Sequence, residues 1–146
     1  MTSSSDSHEK GADPTQAAAF PVRRHDDGIV QVCLIRRKDS TQWGIPKGNI
    51  EPGDDARRTA LREADEEAGL EGRALGESIG AYEYEKNSLV HTVAVFVMEV
   101  LEERAEWPEM AWRERRWCTM DEAGALLQEH RAWPLFDRVR RSLSTR

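Results

Sequence analysis

Apolar positions along this chain repeat with two different periods. Two short runs, AAAFPV over residues 17–22 and IVQVCLI over residues 29–35, flank Arg-Arg-His-Asp-Asp-Gly. That pattern predicts a strand, a turn at Gly28 and a second strand, most simply paired as a hairpin. Residues 89–101, LVHTVAVFVMEVL, are apolar at odd and even positions alike from Val93 to Val97, as in a central strand covered on both faces. Before them, residues 73–84 alternate loosely and end in Tyr82 and Tyr84, which share one face of a strand. Glu85 to Ser88 then form a turn.

Between these strands the period lengthens. Ala56, Ala60, Leu61, Ala64 and Ala68 step by three and four, which predicts a helix with one narrow face of small residues to lie close against a sheet. Asp54 or Asp55 caps its start, and Gly69 followed by Leu70 gives a left-handed stop with an apolar contact. Ahead of it, Pro46, Gly48, Pro52 and Gly53 leave no room for a regular element. Residues 102–116 are charged and broken by Pro108, a loop leading into a strand through Trp117. Thr119 and Glu122 fit a capping box for a helix over residues 121–128, and Pro134 opens a last helix carrying Leu135, Val139 and Leu143.

Composition narrows the class. The chain has 146 residues, 38% hydrophobic and 33% charged, enough for one core and short for two. Residues 1–15, rich in Ser and Asp, read as a flexible tail, and residues 16–146 as the domain. No apolar run approaches the roughly 20 residues of a membrane helix, and the N-terminus lacks the basic and apolar regions of a secretory signal. The expectation is a cytoplasmic protein with no membrane partner. Cys33 and Cys118 lie in apolar runs without zinc spacing and read as reduced core residues. A net charge of −6 argues against broad nucleic-acid binding, and a protein this acidic repels a polyphosphate unless cations bridge the two.

Candidate chemistry concentrates on the first helix. Glu63, Glu66 and Glu67 stand at i, i+3 and i+4, which puts three carboxylates on one side of two turns. Helix stability asks for nothing of the kind, because like charges at that spacing repel and acids near a C-terminus oppose the macrodipole. Such a cluster beside a loop of free carbonyls suits hard divalent cations, Mg²⁺ or Mn²⁺. A solvated acidic face is the competing reading.

Register decides between them, since residues 48–70 resemble the box of the Nudix family: Gly, five residues, Glu, seven residues, Arg-Glu, apolar, any, Glu-Glu, any, Gly, apolar. Gly48, Arg62, Glu63, Glu66, Glu67, Gly69 and Leu70 fall in register, with Ala64 at the apolar position and Asp54 where the family has Glu. The resemblance implies an α/β fold, the Nudix-type α/β/α sandwich around a mixed β-sheet. It also implies divalent-metal-dependent hydrolysis of a nucleoside diphosphate linked to another group. It assigns metal ligation to Glu66 and Glu67 and to the backbone carbonyl of Lys47. Glu63 becomes a further ligand or a proton acceptor, Arg62 a holder of the glutamates, and Glu67 the group that activates water. The lead-in Trp43-Gly44-Ile45-Pro46-Lys47-Gly48 and residues 107–128 are similar to the branches acting on dinucleoside polyphosphates and diphosphoinositol polyphosphates.

The expected partner is therefore a small-molecule nucleotide or inositol polyphosphate. Lys47, Trp43 and Tyr84 are candidate substrate contacts, the lysine as a compact positive charge near phosphate. In many members a later carboxylate joins the metals; Glu109, Glu114 and Glu99 are candidates, Glu109 foremost. Two alternatives stay open: a sensing module that binds an ADP-ribose-like nucleotide without cutting it, and a homodimer rather than a monomer.

Overall fold

A computed structural model of the protein describes residues 13–144. The expected tail falls mostly outside the described residues. At its end Thr15 is already tied in: its N–H donates to the Thr92 carbonyl at 2.9 Å, and its carbonyl accepts from the Ile50 N–H at 3.0 Å.

Among the described residues seven strands form one mixed sheet. They are β1 (Gln16–Arg24), β2 (Val30–Arg37), β3 (Lys47–Asn49), β4 (Leu70–Ala74), β5 (Gly80–Lys86), β6 (Leu89–Glu103) and β7 (Arg113–Thr119), with the main path running β4-β6-β1-β2-β7. Of these strands β1 and β6 pair in parallel, and the other pairs, including the predicted β1–β2 hairpin, are antiparallel. Among the described residues three α-helices accompany the sheet: α1 (Ala56–Ala68), α2 (Met120–Leu126) and α3 (Phe136–Ser144).

Strand parity sorts the core into two layers. Ala18, Phe20, Val32, Leu34, Val93, Val95 and Val97 point to one face, where Ala123, Phe136, Val139 and Leu143 of α2 and α3 cover them. Their neighbours Ala17, Ala19, Cys33, Ile35, Ala94, Phe96 and Met98 point to the other, against Ala60, Ala64 and Ala68 of α1. An α/β/α sandwich results, and β6 is buried on both faces as its apolar run requires. Both cysteines are buried and free, and burial pushes the Cys33 thiol up to about 12.

Several boundaries differ from the sequence reading. The segment before α1 holds a strand after all: β3 pairs with Gln16–Ala18 of β1, because β2 leaves β1 beyond Val22 and opens a gap that three residues fill. Residues 73–84 are not one stretch but the end of β4 and the start of β5, parted at Gly76, whose φ is +82°. The turn before β6 is only Asn87-Ser88, with φ of 55° and 67°, the two left-handed residues of a tight hairpin. Asp55, not Asp54, caps α1 by accepting from the Arg58 N–H at 2.7 Å. Leu61 is only partly buried, since the sheet-facing stripe is narrower than the periodic set. The Thr119–Glu122 capping box forms, but α2 runs from Met120 to Leu126, and Pro134 sits in a 3₁₀ turn (Trp133–Leu135) ahead of α3.

The contact between α1 and the sheet is alanine on alanine, which brings the helix backbone near β1. Replacing Ala64, fully buried, by Leu inserts volume where nothing can move aside. We expect a loss of about 1–3 kcal/mol, read as a lower urea midpoint with an unchanged slope.

Candidate active site

Where β2 parts from β1, the loop before α1 turns its backbone toward the last turns of that helix. Glu67 is 6% exposed, and the Lys47 N–H donates to its Oε1 at 3.3 Å. Glu63 stands against it. Burial first, and then the neighbouring carboxyl, raises Glu67 well above the usual carboxylate range, and burial raises Glu63 also. Two carboxyls in contact and out of water disfavour both being charged. Glycine at position 48 is what admits them, because a Cβ there would fall on the Glu63 carboxyl.

Arg62 lies beside the pair rather than in it. Its guanidinium bonds Asp54, donates to the Asn49 carbonyl at 3.4 Å and stays 3.8 Å from Glu63. The Arg62 bond holds the Asp54 carboxyl below its ordinary value. The shorter acid at 54 thus still reaches the arginine, and Arg62 fixes the entry loop to α1.

Glu66 lies near enough for its charge to raise the Glu63 carboxyl, while among the described residues no three acidic, His or Cys side chains come together at metal-ligand spacing. The Glu66 carbonyl accepts from the Glu109 N–H at 3.2 Å. Of the later acids, Glu99 pairs with Arg73 and Glu114 with Arg36, away from α1. Glu109 alone of the three sits at the helix. Its Oε1 accepts from Arg113 at 2.6 Å, and the same guanidinium lies 3.8 Å from Glu67.

Arg113 is one of four residues that sequence reasoning passed over as solvated charge or loop. The others are Arg104, Trp107 and Arg115. The last carbonyls of a helix have no partner inside it, and here one segment supplies them all. Arg104 donates to Asp65, the Glu109 N–H to Glu66, the Trp107 indole to Glu67 at 3.0 Å and Arg115 to Ala68 at 2.7 Å. Gly69 is needed for more than its φ of 68°: a Cβ there would lie 2.8 Å from the Trp107 Cβ. A signal was present in β7, where Arg113 and Arg115 alternate onto the face that α1 covers.

A cavity of about 290 Å³ opens on the other side of Lys47, lined by Trp43, Tyr82, Tyr84 and His130 among others. Lys47 Nζ donates to the Tyr84 hydroxyl at 3.1 Å, which donates to Gln16 at 2.8 Å. Trp43 lies under the Arg36 guanidinium, 5.1 Å from its ring centre. His130 Nδ1 accepts from the Ala132 N–H at 2.9 Å, so the ring is neutral with its proton on Nε2. Burial, then Lys47 and Arg131, push its pKa down to about 4.

A profile of the NUDIX domain matches residues 13–139. Nudix hydrolase 4 of Arabidopsis thaliana is 35% identical over 102 residues, 68% of this chain and 49% of that protein. Diphosphoinositol polyphosphate phosphohydrolase 3-alpha of Mus musculus is 32% identical over 108 residues, 73% of this chain and 63% of that protein. The chain spans about half to just under two thirds of the length of these curated relatives. Among solved structures, a C. elegans Ap4A hydrolase binary complex superposes with a TM-score of 0.69 at 19% identity, covering 90% of this chain and 98% of the other. At that identity the likeness concerns the fold. No described helix is long and apolar enough to cross a membrane.

Two outcomes follow. Trp107→Phe keeps the ring and strands the buried Glu67 carbonyl, so stability in denaturant falls by about 1–3 kcal/mol. For His130 the unfolded chain takes up a proton below about 6.5 while the folded ring stays neutral to about 4. Stability is therefore unaffected above that window and lost as pH falls through it, by roughly 1–3 kcal/mol. His130→Asn, which retains an acceptor for Ala132, flattens that part of a stability-versus-pH curve.

Proposed function

The chain belongs to the NUDIX domain family, and on that premise we propose that it is a divalent-metal-dependent pyrophosphohydrolase. Its substrate is a diphosphate-linked compound of the dinucleoside polyphosphate or diphosphoinositol polyphosphate type. One observation carries the reading: the buried Glu67 carboxyl and the half-buried Glu63 carboxyl meet where the backbone of Lys47 reaches α1.

Two carboxyls held together with little water to offset their charge fit a hard cation, since oxygen donors of this type are what Mg²⁺ and Mn²⁺ take. Glu63 and Glu67, with Glu66 and the Lys47 carbonyl, would hold the ion, which supplies charge to the phosphate oxygens and a more acidic bound water. The chain's own groups do the rest. Glu67 accepts the proton of the attacking water, steadied by the Lys47 N–H and by Arg113. Glu109, on the same arginine, stands in reserve as a further ligand. The Lys47 ammonium meets a phosphate oxygen, and Arg62 holds the loop that delivers Lys47. Trp43 and Tyr84 bound the substrate side.

Glu67→Gln preserves shape and removes the acceptor. With Mg²⁺ or Mn²⁺ and a panel of diphosphate substrates, we expect turnover to fall by about 10² to 10⁴, the span of general-base contributions. A fall below about tenfold removes Glu67 from the role. Tight nucleotide binding with no product from the parent protein returns the non-cleaving sensor.

A further inference from the structure

The cavity beside Lys47 has a polar character that the hydrolytic site does not account for. Two cations converge in it on one ring: Lys47 Nζ lies 4.8 Å and Arg131 Cζ 5.2 Å from the centre of Tyr84. Among the described residues neither has a carboxylate partner, whereas Arg36 and Arg113 nearby are paired with Glu114 and Glu109. Like charges brought together without a counterion are unfavourable. Burial also leaves Tyr82, another wall of the cavity, with a hydroxyl that has no hydrogen-bond partner among the described residues. An unsatisfied buried hydroxyl is costly. His130, with Nδ1 engaged, presents an N–H donor. The ammonium, guanidinium, hydroxyl and imidazole groups are thus all donors; Glu129 at the rim pairs with neither cation.

The aromatic rings are not open platforms for a base. His91 stacks on Tyr84 at 5.1 Å and 26°, and the two cations lie over the same ring. The guanidiniums of Arg36 and Arg116 lie over Trp43, 5.1 and 5.9 Å from its centre. Stacking a nucleobase would have to displace these groups, while a tetrahedral anion meets them as they stand.

We propose that this cavity is a phosphate subsite for the part of the substrate beyond the bond being cut, with Arg131 as its specificity-determining residue. The word substrate rests on the hydrolase reading above; the anion site itself does not. The ligand chemistry is a phosphoryl group that is bound and not cleaved, borne either by a phosphorylated polyol or by the polyphosphate chain of a nucleotide. Arg131 is exposed and lies on the segment between α2 and the 3₁₀ turn, so truncating it leaves the core untouched.

The test is calorimetric titration of the full chain with inositol hexakisphosphate in metal-free buffer, where nothing is cut. Arg131→Gln is expected to weaken binding at least tenfold, Arg131→Lys to restore most of it, and Tyr82→Phe to weaken it less than Arg131→Gln. Added salt should weaken the parent more than the Gln variant. Binding within twofold of the parent in Arg131→Gln overturns the proposal. So does adenosine, which has no phosphate, binding the parent and losing as much from the substitution. In turnover, an Arg131→Gln loss larger for a diphosphoinositol polyphosphate than for a diadenosine polyphosphate assigns the phosphate to the polyol, and the reverse order to the nucleotide chain. If no substrate is cut yet hexakisphosphate binding depends on Arg131, the hydrolase reading falls and the subsite stands.

Discussion

Burying a pair of carboxyls on the last turns of α1 is the constraint that the remaining structure serves. A carboxylate removed from water without partners is among the most unfavourable groups a fold can hold. Here the compensation comes from three elements: the Lys47 N–H on β3, the Arg113 guanidinium on β7, and the Glu63 carboxyl bonded to it on α1 itself. The first two are distant from Glu67 in sequence. The splayed β1–β2 pair, the short β3 in its gap and the alanine seam under α1 all act to bring them within reach.

The same helix end carries a second imbalance. Acidic side chains crowd the pole where the macrodipole is already negative, and the last carbonyls need donors. The segment after β6 and the start of β7 answer both at once, since Arg104 and Arg115 bring positive charge and hydrogen bonds together. Because Glu109 is anchored to Glu66 through its backbone, this clamp also sets how a later carboxylate stands relative to Glu67. Stability of the helix end and geometry of the site are one problem with one solution.

Much of this was legible in the chain, for identifiable reasons. The β1–β2 hairpin, β6, the caps of α1 and the capping box of α2 rest on local patterns, and those patterns hold. The order of residues from Gly48 to Leu70 gave the family. What escaped was non-local. A three-residue strand with two prolines and two glycines around it has no periodicity to find, and β3 exists only because β2 diverges. Glu66 shares a helical side with Glu63 and Glu67 by spacing and its charge reaches Glu63, but the hydrogen bond within the trio is between Glu63 and Glu67. Arg104, Trp107, Arg113 and Arg115 read as solvated charge around Pro108, since nothing in their own segment records the unpaired carbonyls they reach. Arg131 and the bare Tyr82 hydroxyl likewise acquire meaning only when α2, β5 and the Trp43 loop come together.

The central claim is that the Glu63–Glu67 pair exists to hold a divalent cation. Titrating Mn²⁺ into the protein, with free ion followed by electron paramagnetic resonance, addresses it without reference to any substrate. The account predicts saturable binding in the parent that disappears when Glu63 and Glu67 are both changed to Gln in a protein that stays folded. Equal binding before and after that change would contradict it.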